Sequence, residues 1–212
     1  MKIDLHVHTS RLSPDSTMDP EAAIQAAIAL GLDGICFTEH DRAWDLADVI
    51  QLGTKFNFPV FRGVEVMIKE GGEILVFGMN INFTTVIDIH TLRKLSQDAG
   101  AFMIAAHPFR GFPCQTITDF EKAEDLIMKR PVFDKVDCLE GYNGRNMAGN
   151  NDFACQLASK LGFPISGGSD AHAVPELGKC VTIFQNYIRN EEDLLRELKG
   201  GRFTGANHNR AK

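Results

Sequence analysis

Histidine and carboxylate residues recur at the ends of short apolar stretches in this sequence. His6 and His8 lie in DLHVHTS, where the i, i+2 spacing would place both imidazoles on one face of a β-strand. Asp170 and His172 in GSDAH share that spacing. Imidazoles and carboxylates without thiolates suit Zn, Mn or Fe as ligands. These two pairs therefore predict a site for divalent metal ions.

Three further motifs place the same residue types after apolar stretches. His40 lies in FTEHD, Glu65 ends FRGVE, and His107 lies in FMIAAHP. A single histidine at a strand end is usually a structural residue, but recurrence in every motif favours a shared role, because burying many ionisable groups without a cation is costly. The number of candidate ligands predicts two or three ions. Paired ions are typical of phosphate-ester hydrolysis, since they stabilise both the entering and the leaving oxygen. We interpret His90 and His208 as structural residues instead.

The elements that must position these residues alternate between strand and helix along the chain. Most short apolar stretches are followed by a helical pattern. The two stretches on either side of Gly71-Gly72 are instead predicted to form a hairpin or one strand with an extension. About seven such units predict an α/β fold with a parallel sheet, close to a TIM-like barrel. In such a barrel the strand ends converge on one mouth, which would bring the candidate ligands together. We expect a single domain over residues 1–212.

Composition narrows the functional classes further. The 212 residues are 44% hydrophobic and 24% charged, with a formal net charge of -6 and no basic run, which argues against an extended nucleic-acid surface. The five cysteines are scattered and form no C-x-x-C pair, as expected in a reducing compartment. No apolar run approaches membrane-spanning length. We therefore expect a cytoplasmic protein that neither associates with a membrane nor requires a protein partner.

The motifs DLHVHTS, TEHD, GVEV, AHPFR and GSDAH, in this order, resemble those of the PHP (polymerase and histidinol phosphatase) domain family. The resemblance extends over nearly the whole chain and is to the stand-alone phosphoesterase-like members. It implies a distorted seven-stranded (β/α) barrel, two or three divalent ions (Zn, Mn or Fe) and phosphoester hydrolysis. Carried over by position, it implies the metal ligands His6, His8, Asp15, His40, Glu65, His107, Asp170 and His172.

Two departures from the family pattern concern the ligands. The family usually has another histidine in the strand after GVEV, whereas GGEILVFG contains none. Glu73 could replace it, or a third metal site could be weakened or absent. The loop HTSRLSPDS is also longer than the common form, so Asp15 is either a ligand or a turn residue beside Pro14.

The predicted chemistry is the in-line attack of a metal-bound hydroxide on phosphorus, with the ions lowering the pKa of water. Glu65 is the expected bridging carboxylate, and Asp170 is expected to bind a metal ion and orient the water. His172 or His40 either binds metal or protonates the leaving group.

Loop residues are the candidates for binding the phosphate. Arg110 and Arg145 suit bidentate phosphate contacts, and Asn143 could add a neutral hydrogen bond. Arg11 is a weaker candidate. Glu39 and Asp41 either hydrogen-bond to an imidazole or cap a helix.

The expected substrate is a small phosphomonoester, a nucleotide or an oligonucleotide end. One alternative is an amidohydrolase-like C–N or ester hydrolase, but no lysine ends a central strand, and Lys69 is a poor candidate for a carbamylated ligand. The other alternative is an inactive metal-binding regulatory domain.

Overall fold

The computed structural model describes residues 1–147 and 149–208. Within these ranges the chain forms nine strands and six α-helices, with a short 3-10 turn at Val174–Glu176. Their order is β1 (Lys2–Val7), α1 (Pro20–Ala29), β2 (Gly34–His40), α2 (Leu46–Phe56), β3 (Val60–Met67), β4 (Glu73–Phe77), α3 (Ile89–Ala99), β5 (Phe102–Ala105), α4 (Ile117–Ile127), β6 (Cys138–Asn143), α5 (Asn150–Leu161), β7 (Ile165–Gly168), β8 (Cys180–Phe184), α6 (Glu191–Lys199) and β9 (Phe203–Asn207).

All nine strands belong to one sheet, in the order β7-β6-β5-β4-β3-β2-β1-β8-β9. The sheet is mixed, which corrects the prediction of a parallel one. Strand β4 runs antiparallel to both β3 and β5, because a hairpin rather than a helix joins β3 to β4. Strands β8 and β9 are antiparallel additions beside β1, so the strand count exceeds the predicted seven.

The first seven strands curl into a nearly closed barrel, which confirms the predicted TIM-like α/β fold. Val7 at the end of β1 forms a parallel bridge with Ala171, and the His8 N–H donates to the Ala171 carbonyl at 2.9 Å. At the start of β1, its pairing partner on this side is β8. The Thr182 hydroxyl of β8 donates to the Gly167 carbonyl of β7 at 2.8 Å and accepts the Gly167 N–H at 2.9 Å.

Apolar side chains pack on both sides of the sheet. One core cluster combines residues of the strands, such as Leu5, Phe61 and Ile104, with Leu194 and Leu198 of α6. It includes no residue of α1–α5, so it fills the inside of the barrel, with α6 against it. Two further clusters join the outer face of the strands to the helices around it. No helix in the described part of the chain combines the length and apolar character that crossing a bilayer requires.

Strand β1 departs from the simple alternation expected from its sequence. Its pairing with β2 shifts register between Asp4 and Val7. Asp4 consequently lies away from the imidazoles of His6 and His8, and its carboxylate accepts backbone N–H groups of Ser169 at 2.8 Å and Gly178 at 3.0 Å. A bulge of this kind re-aims the side chains that follow it.

Candidate metal centre

The candidate ligands gather at the ends of the strands that form the barrel. His6 and His8 come from the end of β1, His40 ends β2, and Glu65 lies opposite His40 in β3. The other candidates lie in the loops that follow strands or at the first residue of a strand. These are Asp15 in the loop after β1, Glu73 at the start of β4, His107 after β5, and Asp170 with His172 after β7.

Two of these residues have a backbone conformation that L-amino acids seldom adopt. His107 has φ of 27° and Asp170 has φ of 55°. Left-handed conformations of non-glycine residues cost about 1–3 kcal/mol and are concentrated at functional sites. At both positions the chain turns sharply as it leaves the strand, and the side chain is directed into the cluster.

The Glu65 carboxylate lies at the middle of the cluster. Its Oε1 atom lies 3.1 Å from His6 Nε2 and 3.0 Å from His107 Nε2. Its Oε2 atom lies 3.3 Å from His8 Nε2 and 3.1 Å from His40 Nδ1. Each carboxylate oxygen therefore faces a different pair of imidazoles, so Glu65 could be shared by two neighbouring ions.

The remaining carboxylates surround this centre. Asp170 Oδ1 lies 3.4 Å from His8 Nε2 and 3.6 Å from His6 Nε2. The more exposed Asp15 lies 3.1 Å from His172 Nε2 and 3.3 Å from His40 Nε2. Glu73 lies 3.4 Å from His107 Nε2.

Among the described residues, four overlapping sets could each hold an ion, since their ligand atoms lie within 4.8 Å of one another. They are His8 with His40 and His172, His6 with His8 and Asp170, His6 with His107 and Glu140, and His40 with Glu65 and Glu73.

Glu140, which no motif in the sequence singled out, is buried in β6 beside His6. Its Oε1 atom lies 2.9 Å from His6 Nδ1, and its Oε2 atom accepts the His107 backbone N–H at 2.9 Å. The only sequence signal was an acidic residue in an apolar strand, in CLEGYN. The Glu140 carboxylate can only accept, so a neutral His6 that donates to it from Nδ1 would carry its free electron pair on Nε2, the nitrogen beside Glu65.

A hydrogen-bonded chain orients His8 in the same way. The Ser13 hydroxyl donates to Glu39 Oε2 at 2.5 Å, so it can only accept from His8 Nδ1, 3.2 Å away. Glu39 also accepts the Trp44 indole N–H at 2.7 Å. Glu39 thus reaches a histidine only through the Ser13 hydroxyl, which is neither the direct hydrogen bond to an imidazole nor the helix cap that the sequence left open.

The donor set fits divalent metal ions. If both neutral rings donate from Nδ1, the Nε2 atoms of His6 and His8, 3.0 Å apart, would direct their electron pairs at each other, next to Glu65 and Asp170. The Nε2 atom of His172 is buried and has no aligned hydrogen-bond partner in the described part of the chain. Electron pairs and carboxylate oxygens that face one another in a buried space require a positive charge between them.

Without an ion, protons on the imidazoles supply this charge. Burial opposes the ionisation of Glu65, but the charge of His6 and hydrogen bonds from His107 and His40 hold its pKa well below the ordinary value. Burial also opposes the charged form of His40, but Glu65 raises the pKa of this imidazole to about 9. His172 differs, because burial and the neighbouring His8 lower its pKa. A divalent ion would displace the proton from His40.

The residues predicted to bind substrate lie at the edge of the cluster. The Arg110 guanidinium contacts the Asp170 carboxylate and donates to Asn143 Oδ1 at 3.0 Å. Arg145 lies 2.8 Å from His172 Nδ1. Asn143 is buried, and its amide N–H groups donate to Glu140 and Asp170, so it links Arg110 to the acidic side of the cluster.

Several other residues that the sequence singled out, including the two histidines interpreted as structural, do not contact the cluster. Arg11 pairs with Asp48 at 2.6 Å and stacks on Trp44. His208 bonds to the Leu30 carbonyl, and His90 is exposed on α3. The Asp41 carboxylate accepts the Met67 N–H rather than contacting an imidazole.

Comparison with known proteins connects this geometry to a family. An uncharacterized protein of Methanocaldococcus jannaschii, MJ0417, is 24% identical over 198 residues, which cover 92% of this chain and 75% of that protein. A structure of an amidohydrolase from Chromobacterium violaceum matches with a TM-score of 0.64 and 15% identity, covering 100% of this chain and 99% of the other. A proposed metal-dependent phosphoesterase from Bifidobacterium adolescentis matches with a TM-score of 0.61 and 14% identity, covering 92% and 95%. At these identities the two structures show a shared fold.

The family models cover both halves of the sequence. A PHP-associated model matches residues 148–203, which include Asp170 and His172. The PHP domain model matches residues 4–136, more than half of the chain, and these contain the motifs of His6, His8, His40, Glu65 and His107. The chain therefore belongs to the PHP domain family.

Proposed function

We propose that this protein is a metal-dependent phosphoesterase that hydrolyses a phosphomonoester, a nucleotide or an oligonucleotide end. The observation that carries the proposal is the division of the Glu65 carboxylate between two imidazole pairs, His6 with His107 and His8 with His40. This arrangement offers two adjacent ligand sets that share one bridging group. Bound divalent ions, Zn, Mn or Fe, would acidify a water molecule and offset the charge of a phosphoryl group.

The remaining metal ligands in this proposal are Asp15, Asp170 and His172, with Glu73 in place of the missing histidine. Asp170 lies between the imidazoles and Arg110, so it can bind metal and also orient a water molecule. The lowered pKa of His172 keeps this imidazole neutral near pH 7, as a metal ligand must be. A neutral imidazole is a poor acid, so His40, whose pKa is raised to about 9, is the better of the two candidates for protonating the leaving group when it is not bound to metal.

The two arginines supply the positive charge that a phosphate group requires. Arg110 is about one-third exposed, with a side-chain exposure of 38%, and one of its nitrogens contacts Asp170. A guanidinium has five N–H donors, so the Arg110 group keeps donors for phosphoryl oxygens. Arg145 lies beside His172 on the same side. Asn143 would fix the position of Arg110 rather than contact the substrate directly.

The first experiment measures metal per chain by elemental analysis, and then the hydrolysis of an aryl phosphate and an aryl ester with Mn or Zn added. We expect two or three ions per chain and cleavage of the phosphate. Cleavage of the ester alone would favour the amidohydrolase-like alternative. Bound metal with neither activity, across a panel of phosphomonoesters, would favour a regulatory domain.

A further inference from the structure

A cavity of about 260 Å³ opens directly beside the candidate metal centre. Glu73, His107 and Arg110 form its wall on the side of the centre, and Arg130 forms another part of the wall, beside Gly71 and Gly72. The lining also includes the apolar residues Ile68, Ile74, Ala105, Ile127, Val132 and Phe133. A group attached to a phosphate at the centre could therefore extend between apolar side chains towards a second arginine.

Arg130 is half-buried against the hairpin between β3 and β4. Its Nη1 atom donates to the Gly71 carbonyl at 3.3 Å. Side chains at Gly71 and Gly72 would approach the guanidinium, since a Cβ atom added at each position would lie 3.9 and 3.8 Å, respectively, from its atoms. Both glycines also have positive φ, 81° and 104°. The Gly-Gly pair thus makes the turn and leaves this face of the guanidinium uncovered.

No carboxylate of the described residues lies within ion-pair distance of Arg130. Other arginines that are partly buried have such partners: Arg62 pairs with Glu191 at 2.9 Å, and Arg93 with Asp137 at 2.9 Å. A partly desolvated guanidinium with unused donors is suited to a bidentate contact with a carboxylate or phosphate group of a ligand.

We propose that the cavity holds the organic part of the substrate and that Arg130, in its wall, binds a second anionic group. The substrate class would be small phosphomonoesters that carry a carboxylate or a second phosphate separated from the ester by a short, partly apolar segment. The inference rests on the proposed phosphoesterase function, and it deepens that function by naming the substrate class.

A second groove reaches the centre from the side of His40. It has a volume of about 900 Å³ and is lined mainly by polar loop residues, including Arg42, Asn82 and Thr84. Arg42 is exposed to solvent, whereas Arg130 is half-buried beside an apolar wall. Arg42 therefore provides a matched control, because it is an arginine near the centre on the opposite side.

The test compares two phosphonates that resist hydrolysis, 4-phosphonobutanoate and propylphosphonate, in calorimetric titrations of the metal-replete protein. They share a three-carbon chain, but only the first has a distal carboxylate. We expect tighter binding of 4-phosphonobutanoate to the wild type. Arg130→Gln should reduce that advantage by about tenfold, the effect of losing roughly one charge-assisted contact, and Arg42→Gln should leave it unchanged. A phosphonate with a distal phosphonate group in place of the carboxylate distinguishes the two kinds of anion.

The possible results distinguish the proposed role of Arg130 from the proposed phosphoesterase function. Equal binding of the two phosphonates by the wild type, or a loss of preference in Arg42→Gln but not in Arg130→Gln, would overturn the assignment of Arg130 even if aryl phosphate is hydrolysed. Absence of phosphate hydrolysis by the metal-replete wild type would instead contradict the phosphoesterase proposal. Metal content and melting temperature of each variant show that it is folded, and Arg130→Lys, which keeps the charge, should retain part of the preference.

Discussion

Nδ1 of His6 lies 2.9 Å from Oε1 of Glu140, although 134 positions separate the two residues in the chain. This contact joins β1 to β6 across the inside of the barrel and fixes which nitrogen of His6 faces the cluster. Since Glu140 also accepts the His107 N–H, one buried carboxylate positions two candidate ligands.

The first prediction is that Glu140→Gln weakens metal binding by about 10–100-fold, the usual effect of removing a carboxylate that orients a metal-binding histidine. The glutamine keeps an oxygen that can accept a hydrogen bond but removes the charge. Titration of the metal-free protein with Zn or Mn measures the change. Glu121→Gln, on the exposed face of α4, serves as the control. Equal affinities of Glu140→Gln and the wild type would show that Glu140 does not act through His6.

The second prediction concerns how many ions each ligand variant loses. His107→Ala should remove the ion next to Glu65 Oε1, and His40→Ala should remove the ion next to Oε2. Glu65→Gln should lower the occupancy of both, because it weakens the shared ligand. Elemental analysis after gel filtration gives the ions per chain. Normal metal content in all three variants would place the site elsewhere.

The third prediction tests how closely β7 approaches β1. A Cβ atom at Gly168 would lie 2.8 Å from the His6 backbone nitrogen, a distance that requires the strands to move apart. Gly168→Ala should therefore lower both the melting temperature and the metal affinity. Gly162→Ala provides the comparison: its φ is 75°, but nothing lies within 4 Å of the added carbon, so it should cost only about 1–2 kcal/mol of backbone strain. Unchanged metal affinity in Gly168→Ala would contradict the close approach.

The fourth prediction concerns acid stability and the last helix of the barrel. Glu197 accepts hydrogen bonds from Arg202 Nε at 2.8 Å and Asn186 Nδ2 at 2.8 Å, and these partners lower its pKa to about 2. A carboxylate with a lowered pKa in the folded state stabilises the protein above its unfolded pKa, and this contribution is lost as the pH falls towards 2.

Urea unfolding of the EDTA-treated protein between pH 5 and pH 2 measures this effect without contributions from metal. The wild type should lose more stability over this range than Glu197→Gln, whereas the exposed control Glu192→Gln should follow the wild type. Parallel pH profiles of the wild type and Glu197→Gln would show that the Arg202 contact does not perturb the titration of Glu197.

The fold was largely predictable because local signals agree with it. Asp19 caps α1 by accepting the N–H groups of Glu21 and Ala22, as the sequence Asp-Pro at the helix start indicates. The antiparallel β9 was missed because it is short, contains Gly205, and follows the final helix without a hydrophobic alternation that marks a strand. Its place in the sheet depends on pairing with β8, which is a tertiary effect.

The site was predictable in its residue types but not in the contacts that orient them. Motif spacing placed His6 and His8 on one strand, and the structure brings both to Glu65. The roles of Glu140 and Ser13 could not be read from the sequence, because each depends on a partner whose position is set by the closed sheet. Arg110 was predicted to bind phosphate, yet its contact with Asp170 across 60 positions required the folded chain.

The candidate ligands lie on both sides of the position where β1 and β7 meet to close the barrel. His6 is in β1, His8 follows its last residue, and Asp170 lies just beyond β7. An ion bound between them would fasten the beginning of the chain to a segment more than 150 residues later, and so close one of its longest loops. The entropy cost of closing a loop grows with the length of the loop. Removing the ion with a chelator should therefore loosen the contact between the end of β1 and the segment after β7 before the rest of the barrel. Amide hydrogens of His8 and Asp170, which bond across it, would exchange first.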